Sequence, residues 1–458
     1  MSGQETGKIV ISVEDLKDAK IDETLELQRA SMAGAIQPAS GEKKPVRRLI
    51  YTTWFYLMLA GAAGALAGWA VIEPNFSDGI IFTGSVESVN PDSSPDNIRS
   101  QGGEIRGEVT VSGVEIWIVE GLTTIVEQGK PVRHLKLEDL KPGDVVKVMG
   151  GEISGDDSAL IGNALRREPA GTPAQTYVPL GAMEMHQTIF ALLLFPTIAG
   201  FVALALGAVE GLVCRTFSRA AWCAGIGLLI GLAAGGVSIL LGGLAYGLIG
   251  MLGVGQGGVG AFLIQMFRRG LAWTLAGMGM GLGQGIALKS RKLAFNGFLG
   301  GIVGGLVGGL LFDPIGVVFT KPELMQGAML SRAVGLTIIG AVVGLMMGLT
   351  DLLTRDAWLK VVSGPLRGKE FSFNRTPIRL GSSPKCEIYL FKDAKIDPVH
   401  AVIDKLRDTY EITDESSTGA GVLINGNRVV KRRRLVDGDQ IQIGDSEFRY
   451  STREAKAS

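Results

Sequence analysis

Gly300-Gly301-Ile302-Val303-Gly304-Gly305-Leu306-Val307-Gly308-Gly309 is the stretch whose reading decides the fold. It is apolar and uncharged, and a glycine pair recurs every four residues. It lies within a longer block, residues 188–353, that is apolar, rich in glycine and nearly free of acid. Five segments of about 18–25 apolar residues can be cut from this block, and runs of that length and polarity predict membrane-spanning helices. The cuts fall at 188–213, 220–244, 271–288, 293–312 and 333–353, and a sixth apolar run, 49–71, stands upstream.

Glycine at every fourth position lines one face of a helix and lets backbones approach, gaining dispersion contacts and weak Cα–H···O bonds. The pattern repeats. Arg269 is followed by Gly277, Gly281 and Gly285, and Arg332 at the same offsets by Gly340, Gly344 and Gly348. Gly64 and Gly68 precede Glu73-Pro74 as Gly304 and Gly308 precede Asp313-Pro314. With Gly300 these are the candidate helix-packing residues, and three helical hairpins account for them. Arg219 with Gly227, Gly231 and Gly235 copies the even-span spacing on an odd span, which leaves seven spans open beside six. The rows predict a tight bundle or a seam between copies of the chain, with a pore or sliding transport interface as the alternative. Transport calls for ionisable or strongly polar groups at membrane depth, and the spans offer almost none: Gln284 and Asn296 near their ends, and acids only at the interfaces. Pro196 predicts a kink.

Charge gives the orientation. Six spans put Lys43, Lys44, Arg47, Arg48, Arg215, Arg219, Lys289, Arg291, Lys292 and Arg355 on one side and Arg268, Arg269, Lys321 and Arg332 on the other. The excess marks the cytoplasmic side, so both termini are expected there, in a cell (inner) membrane. The first 48 residues, with 8 basic and 8 acidic groups, predict a mobile tail and show no cleavable signal.

The whole chain has 458 residues, 46% of them apolar, and a net charge of zero, which argues against a nucleic-acid partner. Cys214, Cys223 and Cys386 form no CxxC and no even set, so neither a disulfide framework nor a zinc site is expected. His134, His186 and His400 are widely spaced, and no HExxH, nucleophile elbow or Walker loop occurs. An enzyme is therefore not expected, nor a cofactor or metal. Gly253-Val254-Gly255-Gln256-Gly257-Gly258 follows no strand and reads as a link between spans.

Residues 75–178 form an insert between the first two spans, expected outside. Residues 76–178 carry 9 basic and 16 acidic groups. Apolar and polar residues alternate at Ile80, Phe82, Gly84 and Val86, at Val109 and Val111, and at Val114, Ile116 and Ile118, with turns at Ser112-Gly113 and Lys141-Pro142-Gly143-Asp144. Such alternation predicts short half-buried strands and a small barrel or sandwich. The order of these strands resembles small exported bacterial domains with an OB-like barrel. OB folds bind nucleic acid through basic and aromatic residues, but this insert is net acidic and its surface aromatics are few, Trp117 being one.

After Arg355 the pattern returns to about ten short strands in about 95 residues, an all-β sandwich. Gly381, Cys386-Glu387-Ile388, His400, Asn425-Gly426 and Leu435-Val436-Asp437-Gly438-Asp439 with Ile441, Ile443 and Gly444 resemble a forkhead-associated (FHA) domain over residues 358–450. The resemblance implies an eleven-stranded sandwich that binds phosphothreonine peptides through loops at one end, and a partner that is a substrate of a Ser/Thr kinase. It places the peptide-binding loops at Gly381, Ser382, Ser383, Asp397, His400, Asn425 and Gly426. A phosphate dianion calls for an Arg fork, hydroxyls and amide donors. Where the family pattern has Arg, Ser and Asn, this chain has Ser382, Asp397 and Ala420. The expectation is a partner bound without phosphate, or the domain's own chain. Strand parity turns Arg379 away from Ser382. Lys431-Arg432-Arg433-Arg434 reads either as a solvated turn or as a contact with anionic headgroups.

The expected whole is multi-domain: an α-helical membrane bundle of six spans packed by glycine zippers (49–74 and 186–353), an inserted all-β OB-like barrel (75–178), a cytoplasmic all-β FHA-type sandwich (356–451) and short tails (1–48 and 452–458). The function expected is a membrane-anchored signalling scaffold with the lipid bilayer and a cytoplasmic protein or phosphoprotein as partners and a homo-oligomer as a possible form. The alternative is a transporter or channel subunit regulated by its FHA domain.

Overall fold

The computed structural model describes residues 51–77, 79–93, 105–127, 129, 133–153, 156–251, 258–319, 329–391, 393–407, 409–417 and 421–453. The expectations on the N-terminal tail, the link at 253–257, Lys321 and Ala420 lie outside these.

Among the described residues six long helices form the bundle: α1 (Thr53–Ile72), α2 (Leu180–Val213), α3 (Phe217–Met251), α4 (Gly258–Ala287), α5 (Arg291–Phe319) and α6 (Met329–Thr354). Among the described residues five are long and apolar enough to cross a membrane, over Thr53–Asn75, Leu180–Val213, Phe217–Leu244, Arg291–Ile315 and Met329–Thr354. The remaining helix, α4, is diluted by glycine and carries Arg268, Arg269 and Gln284. The helices α2 to α6 all outrun their expected bounds. α2 begins at Leu180 because that residue, with Val178, is anchored in the core of the insert. α4 holds Arg269 inside the helix because the guanidinium pairs with Asp313 of α5 at 3.1 Å. α3 is one continuous helix of 35 residues, not a hairpin.

The helices pack in succession from α1 to α6, and α6 closes on α1. The glycine rows lie at these contacts. A Cβ on Gly277 or Gly281 would overlap the backbone of Gly301 or Gly297, and one on Gly285 that of Ala294. Gly340, Gly344 and Gly348 lie equally close to Gly61, Leu57 and Trp54 of α1, while Gly227, Gly231 and Gly235 lie against Ala203, Ala199 and Pro196 of α2. The Arg219 copy of the spacing thus serves a third helix pair rather than an extra hairpin. The double row on α5 faces two ways. Gly300, Gly304 and Gly308 meet Met347, Val343 and Ile339 of α6, and Gly301, Gly305 and Gly309 meet α4. Both rows are therefore filled within one chain. The middle of the ring is packed with Leu57, Ile198, Leu206, Met280, Leu336, Ile339 and Val343, and Phe195 stacks on Trp273 at 4.5 Å.

In the insert, β1 (Ile80–Asn90), β2 (Ile105–Val111), β3 (Val114–Val119), β4 (Thr124–Glu127), β5 (Arg133–His134), β6 (Val145–Ile153) and β7 (Asp156–Arg167) pair in the order β3-β2-β1-β6-β7-β4-β5. A parallel pairing of β3 with β7 closes five of them into a ring. Ser112 and Gly113, both at positive φ, make the two-residue turn between β2 and β3. The alternating residues Ile80, Phe82, Val86, Val109, Val111, Val114 and Ile116 point inward.

The C-terminal sandwich has eleven strands: β8 (Ala357–Ser363), β9 (Glu370–Ser372), β10 (Ile378–Gly381), β11 (Ile388–Tyr389), β12 (Ala401–Leu406), β13 (Thr409–Asp414), β14 (Val422–Ile424), β15 (Asn427–Arg428), β16 (Arg432–Arg434), β17 (Gln440–Ile443) and β18 (Ser446–Thr452). One sheet runs β11-β10-β12-β13-β16 and the other β15-β14-β17-β18-β8-β9. Leu359, Leu380, Ile403, Ile412, Ile441 and Phe448 fill the space between them.

Candidate functional site

The loop end of the sandwich gathers the expected positions. Gly381 ends β10 against the Asp397-Pro398 backbone, which a Cβ would overlap; only glycine allows that approach. The Ser382 amide donates to the Asp397 carbonyl at 2.9 Å and the Ser383 amide to the Pro398 carbonyl at 3.2 Å. His400 is fully buried. Its Nδ1 accepts from the Asp397 amide at 3.2 Å, which leaves Nε2 protonated and donating to the Gly421 carbonyl at 3.2 Å. The ring thus ties its own loop to the one that ends at Gly421. Asn425 and Gly426, at φ of 52° and 78°, form the turn between β14 and β15. The Asn425 side chain donates to Asp439 at 2.7 Å and accepts from the Gln440 amide at 2.9 Å.

The electrostatics of this end are acidic. The Asp397 carboxylate takes the Ser417 amide at 2.6 Å. Asp414 accepts the amides of Ser416 and Val422 at 2.9 and 3.1 Å. Partial burial works against the Asp414 charge, but these hydrogen bonds outweigh it and hold the carboxyl below its usual range. Amide donors that an incoming phosphate would need are therefore already directed at carboxylates. Arg379 cannot supply the missing fork. Its Nε and Nη2 hold Glu387 at 3.1 and 3.0 Å, on the other face of β10. Glu387 is partly buried, which opposes its charge, yet Arg379 and then Arg375 keep its pKa low. The basic run forms the edge strand β16, with Arg432 3.5 Å from Glu411. Three strands separate it from β11, the opposite edge of that sheet.

A second polar region lies where the sandwich meets the bundle, and sequence reasoning missed it. Lys369, 1% exposed, donates to the Tyr56 hydroxyl of α1 at 2.7 Å and sits over its ring at 4.4 Å. Burial would lower the Lys369 pKa, but the Tyr56 oxygen, Cys214 and Glu210 outweigh it and hold it above the usual range. Ser372 and Asn374 donate to Asp351 of α6 at 2.8 and 3.2 Å. Ser290, just before α5, donates to the Asn374 backbone carbonyl at 2.9 Å, and Arg215 stacks over Phe391 at 5.1 Å. Cys214 joins the sandwich core itself. The only sequence signal was the isolated acids Glu210 and Asp351 near the ends of apolar runs. At the opposite end of the bundle, Arg332 of α6 holds Glu73 with Nη2–Oε1 at 2.5 Å and Nε–Oε2 at 3.0 Å.

Comparison with known proteins bears on the sandwich. Residues 360–454 match a family model described as the inner membrane component of T3SS, cytoplasmic domain. No curated protein matches the chain. Among solved structures, the sandwich is similar to the FHA domain of the CT664 protein from Chlamydia trachomatis, with 25% identity over 21% of this chain and 96% of that one and a TM-score of 0.20. It is similar to an FHA domain of Arabidopsis thaliana, with 28% identity over 22% and 87% and a TM-score of 0.20. It is also similar to the cytoplasmic domain of the T3SS sorting platform protein PscD from P. aeruginosa, with 19% identity over 22% and 82% and a TM-score of 0.20. The chain therefore carries a region of apolar helices followed by an all-β domain with FHA-domain likeness.

Proposed function

We propose that this chain is a multi-pass inner-membrane scaffold that holds an FHA-like domain against the cytoplasmic face and binds a protein partner through it. In this reading all six helices cross the membrane and both termini lie inside. The insert is an OB-like barrel outside, and the glycine rows set the tight packing of the bundle. The observation that carries the reading is the docking of the sandwich onto one end of the apolar helix ring through Lys369, Ser372 and Asn374, which makes it a fixed platform. The match of residues 360–454 to a cytoplasmic domain of an inner-membrane component supports the side. The filled middle of the ring favours an anchor over a conduit.

The partner is recognised without phosphate. Asp397 stands where a phosphate would accept the Ser417 amide, and a second anion there meets like charge. The test is binding of the purified full chain, in nanodiscs, to an array of phosphothreonine peptides and their unphosphorylated twins. No peptide is expected to bind tighter than about 1 μM in a phosphate-dependent way, or about −8 kcal/mol. A tighter peptide that loses binding on dephosphorylation would refute phosphate-independent recognition.

A further inference from the structure

The middle of the ring is apolar, but its end beneath the sandwich is not. A cavity of about 90 Å³ lies there, with room for several water molecules. Tyr56 of α1, Glu210 of α2, Arg219 of α3, Gln284 of α4, Asn296 of α5 and Asp351 of α6 line it, so each helix gives it a polar group. Asn296 is 2% exposed, and neither atom of its amide has a hydrogen-bond partner. Leaving both groups unpaired in a membrane bundle costs several kcal/mol, so the side chain is held there for something.

Its neighbours say what. Gly300 faces Met347 and Gly304 faces Val343, so the same register places Asn296 opposite Asp351. Asp351 is 6% exposed and is held by Ser372 and by the Asn374 amide nitrogen. The side-chain amide oxygen of Asn374, Oδ1, is buried and unpartnered as well. The Asp351 carboxylate and the side-chain amides of Asn296 and Asn374 therefore line one small cavity; of its other acids, Glu370 pairs with Arg355 and Glu387 with Arg375. Hard cations take oxygen donors of this kind in place of their water shell. One carboxylate balances one positive charge. Among the described residues no group of three or more His, Cys, Asp or Glu side chains gathers, as a divalent ion would favour. The nearby cations are engaged elsewhere, Lys369 with Tyr56, Arg375 with Glu387 and Arg219 with the Glu387 carbonyl at 3.4 Å. Glu210 is bonded to Gln284 at 2.7 Å.

We propose that Asn296, Asp351 and Asn374 bind a monovalent alkali cation, sodium or potassium, at the seam between the helices and the sandwich. A water of the ion's shell accepts from the Asn296 amide nitrogen. The ion bridges α5 and α6 to the domain, so docking of the platform depends on it. This goes beyond the scaffold reading, which stands whether or not an ion is held.

The test is thermal unfolding of the full chain in nanodiscs with sodium, potassium or choline chloride at matched ionic strength. The expected result is a Tm that rises saturably with sodium or potassium and not with choline. The half-saturating concentration should rise by roughly ten-fold in Asn374→Ala, and the response should vanish in Asn296→Ala and in Asp351→Asn. Asn374 lies on the sandwich, outside the helices, so that variant remains informative if the bundle variants fail to fold. Equal Tm values in all three salts would overturn the proposal and leave water as the occupant. A response unchanged in Asn374→Ala would also overturn it, by placing the ion elsewhere.

Discussion

Gly281→Leu is expected to leave almost no folded chain. The Gly281 backbone lies against the Gly297 backbone, and a Cβ would overlap the Gly297 carbonyl. No flexible side chain there can move aside, because the obstacle is main chain. The helices α4 and α5 must separate, and separation also opens the neighbouring contacts of Gly277 with Gly301 and Gly285 with Ala294. Overpacking in a core that can relax costs about 1–3 kcal/mol. Here the loss should reach or exceed the upper end of that range, against a total stability of about 5–15 kcal/mol. Gly236→Leu is the control. Nothing lies within 4 Å of a Cβ at Gly236 on α3, and leucine is the better helix former by about 0.8 kcal/mol. Monodisperse yield and Tm in detergent should fall sharply for the first variant and hold or rise for the second. Equal behaviour of the two would mean that the glycine contacts do not decide the packing.

Arg332→Ala should be the most damaging truncation of a charged side chain. The guanidinium makes two contacts with Glu73 and covers the Phe76 ring at 4.5 Å, and the two side chains are 8% and 9% exposed. Removing one partner leaves the other as an uncompensated buried charge, at about 3–5 kcal/mol. Lysine should not restore the loss, because a point charge lacks the planar fork. Replacing both partners, Arg332→Met with Glu73→Met, should recover much of it, since no charge is then stranded. The Arg269–Asp313 pair repeats the arrangement with side chains 30% and 14% exposed. Water shares that site, so Arg269→Ala should cost clearly less. Tm values of the four variants rank these effects, and a double variant no more stable than Arg332→Ala alone would reject the stranded-charge explanation.

The glycine rows were legible because a helix repeats its contact face every few residues, so Gly277, Gly281 and Gly285 could be placed on a seam without knowing the partner. What they touch was not legible. The Arg219 row was ambiguous in sequence because spacing does not reveal whether a helix enters its pair from the inner or the outer end. Helix ends were misjudged where a polar residue is paired across space, as Arg269 is with Asp313, or where a helix runs into another domain, as α2 does at Leu180. In the sandwich, the order of Gly381, His400 and Asn425-Gly426 located the loops, and Asp397 already argued against phosphate. The seam beneath it was out of reach. Lys369 meets Tyr56 across 313 residues, and neither lies in a motif. The cavity at Asn296 depends on the register of two helices and the seating of a third element, none of which periodicity can supply.

The central claim is that the sandwich and the insert lie on opposite sides of one membrane. Native Cys214, Cys223 and Cys386 are all buried, so single cysteines at Val430, 87% exposed on the sandwich, and Tyr177, 78% exposed beside the insert, can be labelled selectively. Spheroplasts treated with a membrane-impermeant maleimide should label Tyr177→Cys at once and Val430→Cys only after lysis. Labelling of both cysteines, or of Val430→Cys alone, in unbroken spheroplasts would contradict the account.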